Sequence, residues 1–135
     1  MNKKILLVDD NREYRHTIAS MVRRVGYDVI HAEGIAEAIE RLLSDRPDLV
    51  MMADGAEVAA WLKPNHLPVS VSIVVYTAQQ TASRMDELLS NGVAAILTKP
   101  ISSADVRDVL RKHLNTSRTR PRPLPSPSFV NGSTP

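Results

Sequence analysis

The sequence predicts an α/β fold of five strand–helix units, (βα)5, doubly wound around a parallel five-stranded sheet. Short apolar runs, typical of strands buried on both faces, alternate with segments whose apolar residues recur every three or four positions, as in amphipathic helices. Strands separated by helices form parallel sheets with right-handed crossovers. Because such sheets bind ligands at the carboxyl ends of their strands, the residues that follow each strand are the candidate site.

The individual elements follow from apolar patterns and their flanking residues. The apolar runs that predict strands are 5–8, 27–32, 49–52, 71–76 and 94–97. The apolar stripes that predict helices lie within 11–24, 35–42, 56–62, 85–89 and 106–114. Asn11 is placed to cap the first helix and Gly26 to end it. Pro47 ends the second helix, Asn91-Gly92 stops the fourth, and Ser102 or Ser103 caps the last.

Composition indicates one domain followed by a tail. Residues 1–114 form the predicted domain, and residues 115–135, rich in Pro, Arg and Ser, are expected to be disordered because they offer little to bury. The chain has no cysteine, which excludes disulfides, thiol nucleophiles and cysteine-ligated metals. Its 4% aromatic content argues against a stacking platform for single-stranded nucleic acid.

The net charge of +2 depends on the tail. Three arginines follow residue 114, so 14 cations stand against 15 acids in residues 1–114, a net charge of −1. The folded domain therefore shows no basic stripe for nucleic acid. No apolar run is long enough for a membrane span, and the N-terminal run ends on two aspartates, unlike a signal peptide. We expect a cytoplasmic protein without membrane association.

Polar residues with complementary chemistry follow four of the predicted strands. Asp9-Asp10 follow the first, Asp54 the third, Thr77 the fourth, and Lys99 the fifth. Paired carboxylates suit Mg²⁺, which prefers oxygen ligands. A lysine beside them would neutralise the charge of a phosphoryl group. The set, in this order on a (βα)5 pattern, points to a site for phosphoryl chemistry.

Four motifs resemble the receiver domain of bacterial response regulators of the chemotaxis-regulator type. They are ILLVDDN at 5–11, PDLV at 47–50, VVYTA at 74–78 and GVAAILTKP at 92–100. The resemblance covers residue 3 to about 114 and implies a flavodoxin-like sheet with strand order 2-1-3-4-5. It also implies two-component signalling, in which a sensor histidine kinase passes a phosphoryl group to an aspartate on the third strand.

The resemblance assigns roles to particular positions. Asp9 and Asp10 resemble the acidic pair that binds Mg²⁺, and Thr77 resembles the hydroxyl that contacts the phosphoryl group. Lys99 resembles the phosphoryl-contacting lysine, and the Lys99-Pro100 peptide bond is expected to be cis. Ala78 matches the small residue that leaves the phosphoryl group accessible. Ile96 departs from the family, which commonly has Tyr or Phe there, so ring-flip coupling is not expected.

The phosphoacceptor position also departs from the family pattern. The acceptor is expected six residues after Pro47, and that residue is Ala53, which has no nucleophilic oxygen. Asp54 is one residue further, and alternation along a strand turns it to the other face of the sheet. Its spacing to Glu57 favours a helix N-cap instead. A second alignment deletes the acceptor and its loop, and an altered loop could still direct Asp54 into the site.

Three functional hypotheses follow. The favoured one is a stand-alone, degenerate receiver that is not an enzyme and acts by protein–protein interaction, with a sensor histidine kinase or another signalling protein as partner. Its Mg²⁺ binding is expected to be weak, and an Ala53→Asp exchange to restore phosphorylation. The alternative is an active receiver phosphorylated on Asp54. A distant alternative, a flavodoxin-like cofactor protein, is disfavoured because Asp9-Asp10-Asn11 would repel a flavin phosphate.

Overall fold

A computed structural model describes residues 2–54, 71–78 and 81–119. Its strands are β1 (Lys4–Val8), β2 (Asp28–Ala32), β3 (Leu49–Ala53), β4 (Ser72–Thr77) and β5 (Ala95–Thr98). Its helices are α1 (Arg12–Val25), α2 (Ile35–Asp45), α3 (Ala82–Ser90) and α4 (Ser103–Thr119). The helix predicted at 56–62 lies outside the described residues.

The five strands form one parallel sheet in the order β2-β1-β3-β4-β5. This confirms the predicted doubly wound, flavodoxin-like fold. Strand β3 lies between β1 and β4, with Val8 paired to Met52 and Ala53 paired to Tyr76. The carboxyl ends of the three central strands therefore meet at one edge of the sheet.

Side chains that alternate along the strands fill a separate core on each face of the sheet. On one face, Leu49 and Met51 of β3 pack with apolar residues of α1 and α4. On the other, Val50 and Met52 pack with Ala38 and Leu42 of α2 and with Leu88 of α3. Burial of each such aliphatic side chain contributes about 2 kcal/mol to folding. We call these the α1/α4 face and the α2/α3 face.

Local signals set the helix ends. Asn11 Oδ1 accepts a hydrogen bond of 3.0 Å from the backbone N–H of Tyr14, and Gly26 ends α1 at φ 108°, a conformation that favours glycine. Ser102 Oγ accepts from the backbone N–H of Asp105, whose carboxylate accepts from the backbone N–H of Ser102. This reciprocal capping box confirms Ser102, one of the two predicted caps, at the start of α4.

The last helix extends past the predicted domain boundary. Helix α4 continues beyond residue 114 to Thr119, because no proline interrupts the chain before Pro121. Residues 120–135, the rest of the predicted tail, lie outside the described part of the chain. Among the residues that the structure does describe, no helix is long and apolar enough to cross a membrane.

Candidate functional site

Asp9 lies at the sheet edge with both of its carboxylate oxygens engaged. Oδ1 accepts a hydrogen bond of 2.9 Å from the backbone N–H of Asn11, and Oδ2 accepts one of 2.7 Å from the hydroxyl of Tyr76. Asp9 is buried, whereas the neighbouring Asp10 is exposed. The acidic pair predicted from the sequence is therefore present, but its inner member is already bound by the protein itself.

Tyr76 reaches Asp9 from two strands away. It lies on β4, is fully buried, and belongs to the core of the α1/α4 face. Because β3 separates β4 from β1, the phenol has to cross the end of β3 to reach Asp9. The residue paired with Tyr76 on β3 is Ala53, which packs against the same core. The small side chain at position 53 thus leaves room for the ring.

Lys99 lies close to the aromatic rings of Tyr14 and Tyr76 at this edge of the sheet. Its ammonium nitrogen lies 4.4 Å from the ring centroid of Tyr14 and 5.8 Å from that of Tyr76. The two rings are themselves 5.8 Å apart and tilted by 46°. A cation over aromatic faces is stabilised by the ring quadrupoles. The Lys99-Pro100 peptide bond is cis, as the resemblance implies.

The protonation of Tyr76 is fixed by its surroundings. Burial raises the pKa of the Tyr76 phenol, and the hydrogen bond to Asp9 raises it further. Both effects favour the neutral phenol, because a phenolate would be desolvated and would face a carboxylate. Tyr76 is therefore a hydrogen-bond donor to Asp9 at any pH near neutrality.

Asp54 lies in a different group, with residues of β4 and α3. Thr77 Oγ1 donates a hydrogen bond of 2.8 Å to Oδ2 of Asp54. The guanidinium of Arg84 donates to both oxygens, with Nε 3.1 Å from Oδ2 and Nη2 bound to Oδ1. The Asp54 side chain is only 5% exposed. The hydrogen bond to Asp54 raises the pKa of Arg84, which favours the charged guanidinium.

The two groups belong to opposite faces of the sheet. Alternation along β3 and β4 puts Ala53 and Tyr76 on the α1/α4 face, whereas Asp54 and Thr77 engage Arg84 of α3. Asp54 follows the alternation expected from the sequence. The helix that it was expected to cap lies outside the described ranges. Ile96 packs against the core of the α2/α3 face.

Sequence reasoning missed a buried arginine behind Asp9. Arg15 of α1 is only 4% exposed. Its Nη1 donates a hydrogen bond to the backbone carbonyl of Asp9. Its Nε donates a hydrogen bond of 3.1 Å to Nδ1 of His31. The rings of His16 and His31 stack with centroids 4.9 Å apart. Burial lowers the pKa of His31, and the charge of Arg15 lowers it further. No spacing in the sequence would have paired residues so far apart.

The pocket at Asp9 does not fit Mg²⁺ as it stands. Each oxygen of Asp9 already accepts a hydrogen bond from the protein. Within residues 2–54, 71–78 and 81–119, no group of three or more His, Asp or Glu side chains could hold a metal ion. Mg²⁺ keeps several waters and is usually held by one or two carboxylates, so binding through Oδ2 of Asp9 would have to displace the hydrogen bond from Tyr76.

Comparison with protein families matches residues 5–111 to the response regulator receiver domain. The chain therefore belongs to the receiver-domain family and is a signalling module of two-component systems. This membership favours the signalling hypotheses over the flavodoxin-like cofactor protein.

Individual relatives agree with this membership. The chain is 30% identical to the phosphate regulon transcriptional regulatory protein PhoB of Pseudomonas aeruginosa over 98% of its own length and 59% of that protein. It is 27% identical to the sporulation initiation phosphotransferase F of Bacillus subtilis over 84% of its length and 95% of that protein. A response regulator from Thermotoga maritima superposes with a TM-score of 0.75 at 18% identity, covering 85% of this chain and 99% of that one.

Proposed function

We propose that this protein is a degenerate receiver, a signalling module that acts through protein–protein contacts and is not switched by ordinary aspartyl phosphorylation. One observation carries the proposal. At the end of β3, Ala53 packs on the same face as Tyr76, which contacts Asp9 and Lys99, whereas the nearby carboxylate, Asp54, is bound to Thr77 and Arg84. The carboxylate of Asp9 and the ammonium of Lys99 thus lie on the Tyr76 side of the sheet edge, and the Asp54–Arg84 ion pair lies on the other.

The chemistry of phosphorylation explains why this separation matters. An aspartate attacks phosphorus only when it is in line with the donor and beside the groups that stabilise the developing charge. A misplacement of about 1 Å already costs roughly 100-fold in rate. Asp54 is displaced by one full residue from Ala53, and its oxygens accept hydrogen bonds from Arg84 and Thr77. The ion pair with Arg84 opposes attack by Asp54, because the cation holds both carboxylate oxygens.

We also propose a class of partner and a cellular location for this protein. Receiver domains exchange signals with other signalling proteins, so a sensor histidine kinase or another signalling protein is the proposed partner, and catalysis is not part of the proposal. We place the protein in the cytoplasm, where two-component signals travel. Mg²⁺ binding through Asp9 and Asp10 is proposed to be weak, because Tyr76 already holds Asp9.

A second candidate is an active receiver that uses Asp54. The 2.8 Å hydrogen bond from Thr77 favours it, because the resemblance assigns this hydroxyl to contact with the phosphoryl group. Phosphorylation of Asp54 would require the Arg84 guanidinium to release both carboxylate oxygens. The charge of Arg84 makes that release costly, so the first candidate is preferred.

Intact-mass measurement after incubation with acetyl phosphate and Mg²⁺ tests the choice. The degenerate receiver gains no phosphoryl mass under conditions in which an active receiver, run in parallel, is modified. An adduct that is present in the parent protein and lost in Asp54→Asn would establish the second candidate instead. Arg84→Met, which frees Asp54 from its ion pair, shows whether that contact alone suppresses the reaction.

A further inference from the structure

The pocket beside Asp9 is filled by a matched pair of residues on neighbouring strands. Ala53 and Tyr76 are register partners on β3 and β4, and the Tyr76 hydroxyl is bound to Asp9. We propose that Tyr76 closes this pocket, and that it excludes both a divalent cation and a phosphoryl group independently of the missing carboxylate at position 53. This inference rests on the proposed degenerate function and adds a second, separable cause to it.

The span between the strands shows what Tyr76 occupies. Neighbouring strands lie about 4.8 Å apart, so β1 and β4, on either side of β3, are separated by roughly 10 Å. Tyr76 spans much of this distance to reach Asp9, and its ring therefore covers the end of β3. Any side chain longer than a methyl group at position 53 would extend into the space that the ring fills.

The hydroxyl of Tyr76 competes directly with a cation. A Mg²⁺ ion bound through Oδ2 of Asp9 would displace the 2.7 Å hydrogen bond and leave a fully buried phenol without that acceptor. A buried donor that loses its acceptor is penalised enough to weaken cation binding about 10-fold or more. The neighbouring carboxylate, Asp10, is exposed and offers no compensation by itself.

The ring of Tyr76 competes with an acceptor at position 53. A carboxylate introduced by Ala53→Asp would extend from a half-buried position packed against the core that contains the Tyr76 ring, where added volume forces side chains out of their preferred rotamers. It would also be placed near Asp9, so two carboxylates would face each other without a cation between them. The exchange that the sequence suggests would restore phosphorylation is therefore insufficient unless Tyr76 is also replaced.

A four-protein comparison tests the proposal: the parent, Ala53→Asp, Tyr76→Val and the double variant, with Mg²⁺ binding measured by isothermal titration calorimetry. Thermal unfolding checks that each protein is folded. We expect the double variant to bind Mg²⁺ at least about 10-fold more tightly than Ala53→Asp alone. Equal affinity in these two proteins would overturn the proposal.

Tyr76→Phe keeps the ring and removes only the hydroxyl. It provides a second test if the Tyr76→Val variant does not fold. Combined with Ala53→Asp, it should bind Mg²⁺ several-fold more tightly than Ala53→Asp alone, and no gain would overturn the role of the hydroxyl. The readout is cation binding, and so it is independent of the proposed function. An Asp54-dependent acetyl phosphate adduct in the parent protein would refute the degenerate function while leaving the Tyr76 comparison intact.

Discussion

The Tyr76 hydroxyl donates a 2.7 Å hydrogen bond to Oδ2 of Asp9, joining the end of β4 to the end of β1 across the intervening strand β3. The bond is possible because Ala53 on β3 is small. It couples Asp9, one of the two carboxylates proposed to bind Mg²⁺, to the hydrophobic core of the α1/α4 face. Because of this bond, replacing Tyr76 should lower the free energy of unfolding, and burial together with the bond raises the pKa of its phenol.

Replacement of Tyr76 by Phe should destabilise the protein by about 1–2 kcal/mol at neutral pH, because the buried carboxylate of Asp9 loses a donor. The pKa of Tyr76 is raised above its ordinary value of 10.0, so this contribution is complete below pH 10.0 and is lost as the pH rises further. Urea denaturation of both proteins across this range measures the difference.

Absorbance titration gives an independent check of Tyr76. In the native state, the tyrosinate absorbance of the parent protein and of Tyr76→Phe should rise together until the protein unfolds, because Tyr76 stays protonated. If the folded parent protein instead showed one more tyrosine ionising near pH 10.0 than the variant does, that result would contradict the burial of the Tyr76 phenol and its hydrogen bond to Asp9.

Loss of the Arg84 guanidinium should destabilise the protein more than loss of an exposed ion pair. Arg84→Met removes the cation that contacts both oxygens of Asp54, whose side chain is only 5% exposed, and should lower the free energy of unfolding by about 2 kcal/mol. Arg107→Met is the matched control, because Arg107 forms an ion pair with the exposed Asp108 that is expected to contribute less than about 0.5 kcal/mol. If urea denaturation showed an equal decrease in the free energy of unfolding for both variants, the Asp54–Arg84 ion pair would be no more stabilising than an exposed one.

His31 should make stability fall as the pH is lowered. Its pKa is held below 6.5 by burial and by the charges of Arg15, His16 and Arg23, against the opposing effect of Glu37. The unfolded chain therefore takes up a proton near pH 6.5 that the folded chain resists, so stability decreases below that pH. The free energy of unfolding should depend less on pH, between about 7.5 and 5.5, in His31→Gln.

Two measurements complete the test of His31. His113→Gln is the comparison, because burial also lowers the pKa of His113, which lies on α4 rather than on β2, and its effect on the pH dependence should add to that of His31. An NMR titration that places the midpoint of His31 at or above 6.5 would show that the Arg15 contact does not disfavour the protonated imidazole.

The sheet and its edge could be predicted because they depend on local patterns. Buried parallel strands require continuous apolar runs, and residues such as Asn11, Gly26 and Ser102 mark helix ends by their own backbone and side-chain chemistry. The position of Asp54 relative to Ala53 was also predictable, because alternation along a strand is a property of the backbone.

The contacts that close the pocket could not be predicted in the same way. In the sequence, Tyr76 is simply an aromatic residue in a β-strand, and only the strand order places it opposite Ala53 and within reach of Asp9. The ion pair between Arg84 and Asp54 joins residues 30 positions apart. Such pairings depend on tertiary packing. One signal was available: comparing side-chain sizes between neighbouring strands would have matched the small Ala53 with the large Tyr76.

Beryllofluoride, a mimic of the phosphoryl group, provides the most direct test of the central claim when its binding is followed by NMR. Backbone amide resonances of the parent protein are recorded with Mg²⁺ alone and then with Mg²⁺ and beryllofluoride. We expect no saturable shift at Thr77 or Lys99, because Ala53 is the residue of β3 that pairs with Tyr76 and the Tyr76 hydroxyl holds Asp9. Saturable shifts at both residues, abolished by Asp54→Asn, would contradict it and identify Asp54 as a working acceptor.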